Sequence, residues 1–208
     1  HLSIRRQRQM CIRDSIVTWV LIIVLGAYAA WAGWGAYQRS QATQAAQLYE
    51  ELQKAVAAQD KEKVQRAATD MEAKFAGTAY AQMSALAAAK SAFDANDFKT
   101  AKAQLQWVID KGNSQEYKAV AKVRLAGILL DEKAYDEGLK VLAGEFPAQF
   151  ANVVSDRKGD ILVAQNKLDE ARAAYQLALE KTDAKNPARQ LIQIKLDAIG
   201  GAPAKKAA

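Results

Sequence analysis

Between Asp14 and Arg39 the chain carries no charged residue. That run, SIVTWVLIIVLGAYAAWAGWGAYQ, is long enough as a helix to span a hydrocarbon core of roughly 30 Å. Nothing after it is comparably apolar, so the sequence reads as one membrane-spanning helix, residues 16–38, followed by a water-soluble part. Trp19 stands near one end, and Trp31, Trp34 and Tyr37 near the other. These rings are expected at the headgroup level, because each has an apolar body and a polar edge. Gly26, Ala29, Ala30 and Gly33 fall three or four apart. Small residues at that spacing let a partner helix approach closely, although they are common in such spans.

A cleaved signal peptide is the rival reading, since Ala27-Tyr28-Ala29 fits a small-x-small cleavage site. The apolar run continues past that point, beyond the roughly 7–15 residues such a signal needs, which favours an uncleaved anchor. Arg5, Arg6, Arg8 and Arg13 precede the span, and only Arg39 and Lys54 follow it closely. The bias of basic residues places the N-terminus in the cytoplasm and the large C-terminal part outside it. The opening HLSIRRQRQMCIRDS also resembles translated sequencing-adapter sequence. On that reading residues 1–15, with His1 and Cys11, are an artefact; on the other they are a short basic tail.

From Arg39 onward the chain has 25 of its 29 basic and 22 of its 23 acidic residues. Signs mixed in this way read as solvated helix faces and not as a nucleic-acid patch. There is no Cys and no His after residue 11, so disulfides, thiolate and imidazole metal ligands and the usual general base are missing. No G-x-S-x-G, phosphate loop or metal-ligand spacing occurs, and no catalytic, cofactor or metal site is expected. The paired carboxylates Asp131-Glu132, Asp136-Glu137 and Asp169-Glu170 lie at expected turns, where solvated caps suffice.

The soluble part is alanine-rich, poor in Gly and Pro, and without strand-like alternation, so it is read as all-α. It also repeats. Each unit has a small residue, a bulky one nine positions on, a second small one after three more, and a large apolar one four later. Ala89, Phe98, Ala101 and Leu105 fit; so do Ala126, Tyr135, Gly138 and Leu142, and Gly159, Leu168, Ala171 and Tyr175. Ala55, Val64, Ala67 and Met71 form a weaker copy. The bulky second members are separated by 34, 37 and 33 residues. Such spacing predicts helix pairs in which small residues face each other and bulky ones fill the gaps between pairs. The turns Ala95-Asn96-Asp97, Asp131-Glu132-Lys133 and Gln165-Asn166-Lys167 precede each second helix, with Asn and Asp as expected caps. A closing helix is expected from Pro187 to about Ile199, capped by Asn186, with Leu191, Ile194 and Leu196 covering the last face of the stack. The spanning helix has no Gly or Pro between Gly35 and Gly77 and is expected to run unbroken into the first repeat near Tyr49 and Leu52.

The period resembles that of the tetratricopeptide repeat. The expected architecture is a spanning helix at 16–38, a repeat domain of about four helix pairs with a capping helix at 39–200, and a flexible tail at 201–208. A binding groove on the inner curve draws on Lys90, Phe93, Asp94, Leu130 and Asp131, joined by Tyr49 and Met83.

One family combines these features. The aromatic GWGAY at 33–37, KTAKAQLQWVID at 99–110, AVAKVRLAGILLDEKAYDEGLKVL at 119–142, SDRKGDILVAQNKLDEARAAY at 155–175 and QLIQIKLDAIG at 190–200 resemble the YfgM family, the ancillary subunit of the bacterial SecYEG translocon. The resemblance implies a non-enzymatic, single-pass inner-membrane protein with a periplasmic repeat domain. It implies association with SecYEG and a PpiD-like foldase and hand-over of unfolded secreted proteins; membrane lipid is met through the N-terminal helix, and the mixed charges give no expectation of a nucleic-acid partner. A tetratricopeptide scaffold for envelope or division machinery is the alternative.

Overall fold

The computed structural model describes the backbone of residues 2–201 and the side chains of residues 17–201. His1, the tail expected after Gly201, and the side chains of Arg5, Arg6, Arg8, Cys11 and Arg13 lie outside the described residues. Nine α-helices and no strand occur among the described residues: α1 Leu2–Ala57, α2 Lys61–Phe75, α3 Ala79–Asp94, α4 Phe98–Lys111, α5 Gln115–Asp131, α6 Tyr135–Leu142, α7 Ala151–Ala164, α8 Leu168–Lys181 and α9 Ala188–Ala198. A single 3₁₀ turn, Ala148–Phe150, leads into α7.

The helices pair in chain order as α1–α2, α3–α4, α5–α6 and α7–α8, with α9 laid on α8. The first helices of successive pairs also touch, α1 on α3, α3 on α5 and α5 on α7. The result is a solenoid of four helix pairs with a closing helix. Ala101 and Ala171, second-helix small residues of the repeat, are fully buried. At Gly138 a methyl group would lie 3.6 Å from the Ala126 carbonyl, so the small residues of that pair do face each other. Gly159 differs: its neighbour is the Tyr175 ring, with Cε1 only 2.4 Å from where a Cβ would stand. Bulky Leu105, Met71 and Leu142 are buried as the repeat demands.

Every turn inside a pair has the same construction. Gln59, Asn96, Lys133 and Asn166 adopt left-handed backbone, with φ of 55°, 60°, 61° and 59°. In each, the next residue's N–H reaches back five residues to close the preceding helix, as from Ala134 to the Leu129 carbonyl (2.8 Å) and Lys167 to that of Leu162 (2.9 Å). Asn96 and Asn166 therefore end one helix and do not cap the next, which corrects the expected capping role. Asp60 and Asp97 cap, accepting from Lys63 and Thr100 N–H at 3.1 Å. Bonds from the Lys63 and Thr100 side chains, backed by these N–H groups, hold both carboxyls below the ordinary Asp range. Helices α6 and α8 have no side-chain cap.

Between pairs a different device operates. Buried Gln82 of α3 accepts from the N–H groups of both Asn113 and Ser114, each at 3.1 Å. Asn113 in turn donates to the Gly77 carbonyl (3.1 Å). Two inter-pair turns are thus tied to each other. A Cβ at Gly112 would stand 2.5 Å from the Val108 carbonyl oxygen and 2.8 Å from Gln82 Oε1, so only glycine fits.

Helix α1 is long and apolar enough between Val17 and Ala57 to cross a membrane, and its apolar window is wholly exposed. It enters the solenoid without a break through Ala45, Leu52 and Ala55, all buried, with Leu48 and Tyr49 half-buried on the same face. In between, Arg39 donates to the Gly35 carbonyl (3.1 Å), Thr43 to that of Arg39 (3.0 Å) and Gln44 to Ser40 Oγ (3.2 Å), all inside the helix. At the other end, Asn186 Oδ1 accepts from Ala188 N–H (2.9 Å), with Pro187 already helical. The face of α9 that packs is Ile192 and Leu196, against Tyr175 and Leu179. Leu191 and Ile194 point outward, 56% and 59% exposed, contrary to expectation. Tyr175 and Leu179 select the i, i+4 stripe of α9 over its i, i+3 stripe.

Candidate protein-binding groove

Successive first helices leave a trough where α3, α5 and α7 meet, an open cavity of about 460 Å³. Helix α3 contributes Lys90, Phe93 and Asp94, which sit at i, i+3 and i+4 and so share one face. Helix α5 contributes Arg124, Gly127, Ile128 and Asp131, one stripe at i, i+3, i+4 and i+7. Arg157 of α7 closes the far wall, and Ala89 and Leu105 form the floor. Phe93 is 38% exposed and tilts against Phe98 with ring centroids 5.5 Å apart, so the apolar wall is held in place by α4.

The polar groups are unequally occupied. Lys90 donates to Asp94 at 2.6 Å, and both side chains are largely exposed. Arg124 makes one long bond to the Leu86 carbonyl (3.3 Å). Arg157 makes one to Asp160 (3.4 Å), while its buried Nε–H has no partner. The Arg157 guanidinium lies over Gly127, its Cζ 3.5 Å from where a Cβ would be, which is ordinary van der Waals contact. The trough is therefore apolar in its floor, cationic toward α7, anionic at the end of α5, and matched in charge along α3 by the Lys90–Asp94 pair.

Of the seven groove residues expected from the sequence, four come together here: Lys90, Phe93, Asp94 and Asp131. Leu130 turns away and packs with Val123, Ala126, Leu142 and Ile161. Tyr49 is held against Tyr80 (5.6 Å between centroids) in the core beside α2. Met83 is half-buried and does not line the trough. Sequence reasoning missed Arg124, Gly127, Ile128 and Arg157. Counting back from Asp131 by three, four and seven would have reached the first three. Trp19, Trp31, Trp34 and Tyr37 are all well exposed on α1. Trp19 and Tyr37 stand ~27 Å apart along its axis at 1.5 Å per residue, close to the thickness of a hydrocarbon core.

A second cleft, of about 470 Å³, lies between α1 and α2. Two of its carboxylates are paired locally, Asp60 with Lys63 (2.9 Å) and Asp70 with Lys74 (3.6 Å). Behind the trough a charged knot fastens α9. Lys195 Nζ donates to Asp156 (2.8 and 2.9 Å) and to Asp160 (3.1 Å), and Tyr175 OH donates to Asp160 (2.8 Å). Burial pushes the Asp156 carboxyl above its ordinary range, offset in part by its bond to Lys195. Burial and the bond to Asp160 push the Tyr175 phenol up as well. Among the described residues no group of three or more His, Cys, Asp or Glu is placed to hold a metal ion.

A family described as a tetratricopeptide repeat-like domain matches residues 14–201. A protein of Neisseria gonorrhoeae named ancillary SecYEG translocon subunit is 37% identical over 119 residues, covering 57% of each chain. An Escherichia coli protein of the same name is 28% identical over 118 residues, again 57% of each. The chain thus spans 57% of the length of the curated relatives it matches. No solved structure matches it.

Proposed function

This chain belongs to the tetratricopeptide repeat-like domain family, and from that membership we propose that it is a non-enzymatic, membrane-anchored protein-interaction module of the Sec translocon. The observation that carries the reading is α1, one helix that is apolar at one end and structural in the repeat stack at the other. A solenoid joined to a membrane in this way keeps its groove beside whatever assembly the span lies in. The similarity to two proteins named ancillary SecYEG translocon subunit supports the translocon as that assembly.

In this reading the span lies in the bacterial inner membrane, with its N-terminus in the cytoplasm and the solenoid in the periplasm. Chains emerging from the channel meet the groove at high effective concentration, so modest affinity is enough for capture and release. A PpiD-like foldase is the proposed partner to which they pass. The lack of Cys and His after residue 11 and the lack of any nucleophile–base pairing in the trough support a binding role and not a catalytic one.

The test is isolation of the full chain from membranes in mild detergent, followed by identification of co-isolated proteins. Channel subunits and a PpiD-like foldase are expected. Recovery of division or envelope-assembly proteins in their place would move the function to scaffolding.

A further inference from the structure

We infer that the trough between α3, α5 and α7 receives an apolar protein segment bearing a carboxylate, which the Arg124 and Arg157 guanidiniums grip. The inference rests on reading the chain as a protein-interaction module and adds the chemistry of the partner. Three observations carry it. A guanidinium has five N–H donors, and each of these two makes only one long bond, at 3.3 and 3.4 Å. The buried Arg157 Nε–H is without an acceptor. Both side chains line a trough with an apolar floor of Ala89, Leu105 and Ile128, where a carboxylate is less screened than on the open surface. A planar guanidinium suits a carboxylate through paired N–H···O bonds.

The other polar wall fixes direction. Asp131 lies two turns beyond Arg124 on the same face of α5, ~10 Å along its axis. Its negative charge makes that end repel a carboxylate and favour a cation. Asp94 also lines that end but is matched by Lys90 at 2.6 Å, so the pair adds no net charge and Asp131 sets the polarity. The large apolar side chains of the segment lie between, against Phe93 and Ile128. The complementary segment is therefore acidic at one end, apolar in the middle and basic at the other.

The test uses the full chain in detergent micelles and the fluorescein-labelled peptide Ser-Glu-Glu-Leu-Phe-Leu-Leu-Lys. Comparison peptides replace both Glu by Gln or by Lys. The acidic peptide is expected to bind roughly tenfold tighter than its Lys counterpart, with the Gln form between them. Arg124→Gln, at an exposed position, should erase most of that preference while leaving the Gln peptide's affinity unchanged. Asp131→Lys should tighten the acidic peptide severalfold, and this gain cannot come from misfolding. Equal binding of the three peptides, or a preference that survives Arg124→Gln and Arg157→Gln in variants with native melting curves, would overturn the inference. If channel components still co-isolate with the native chain in that case, only the carboxylate grip has failed. If they do not, the translocon reading has failed, whatever the peptides show.

Discussion

Lys133 and Asn166 occupy the same left-handed corner of successive helix pairs, at φ 61° and 59°. Asn tolerates that region, whereas a long side chain with a Cβ clash does not, at a cost of roughly 1–2 kcal/mol. Lys133→Gly should therefore stabilise the solenoid by about 1 kcal/mol after the entropy glycine loses on folding, measured by urea unfolding. Gly159→Ala should act oppositely. Its methyl group would meet the buried Tyr175 ring at 2.4–2.6 Å, and overpacking of this kind costs about 1–3 kcal/mol. Glu72 gives a pH test. Burial raises its carboxyl above the ordinary Glu range, and the neighbouring Gln104 amide offsets this only in part. A raised carboxyl lends stability that is intact below the unfolded value and is lost as pH rises through the folded one. Glu72→Gln should thus raise the melting temperature at neutral pH, and the gain should vanish in acid below the ordinary Glu range. A gain independent of pH would place the cause elsewhere.

At the scale of helices, the pairs were legible because small and bulky residues alternate at fixed offsets through Ala101, Gly138 and Ala171, and burial follows those offsets. Helix rotation was less legible. Helix α9 offers two apolar stripes, Leu191 with Ile194 and Ile192 with Leu196, and only the Tyr175–Leu179 surface of α8 decides between them. Leu130 and Asp131 are adjacent in the chain yet face core and trough, so only one of the two can line the trough. Gln82 was invisible because its partners, Asn113 and Ser114, lie over thirty residues away and its role is to satisfy their backbone. Gln82→Ala removes an acceptor shared by two N–H groups of the inter-pair turn. It should cost about 1–3 kcal/mol and, in hydrogen exchange, loosen Asn113 and Ser114 before the helices around them.

At the scale of the molecule, the join between the apolar part of α1 and the solenoid contains no hinge. Tyr37, the last exposed aromatic of the apolar run, and Ala45, the first buried contact, are eight residues apart, ~12 Å of one helix. A helix without a swivel transmits rotation as well as distance, so the span works as a compass bearing. The angle at which its lipid-buried face meets a neighbour dictates the azimuth at which the Arg124–Asp131 trough looks out over the membrane. Each residue inserted between Gln41 and Ala42 would turn that azimuth by ~100° and lift it ~1.5 Å. Two inserted alanines point the trough nearly backwards, whereas seven return it to within ~20°. Recovery of partners from membranes should fall with the first insertion and return with the second, following angle and not length.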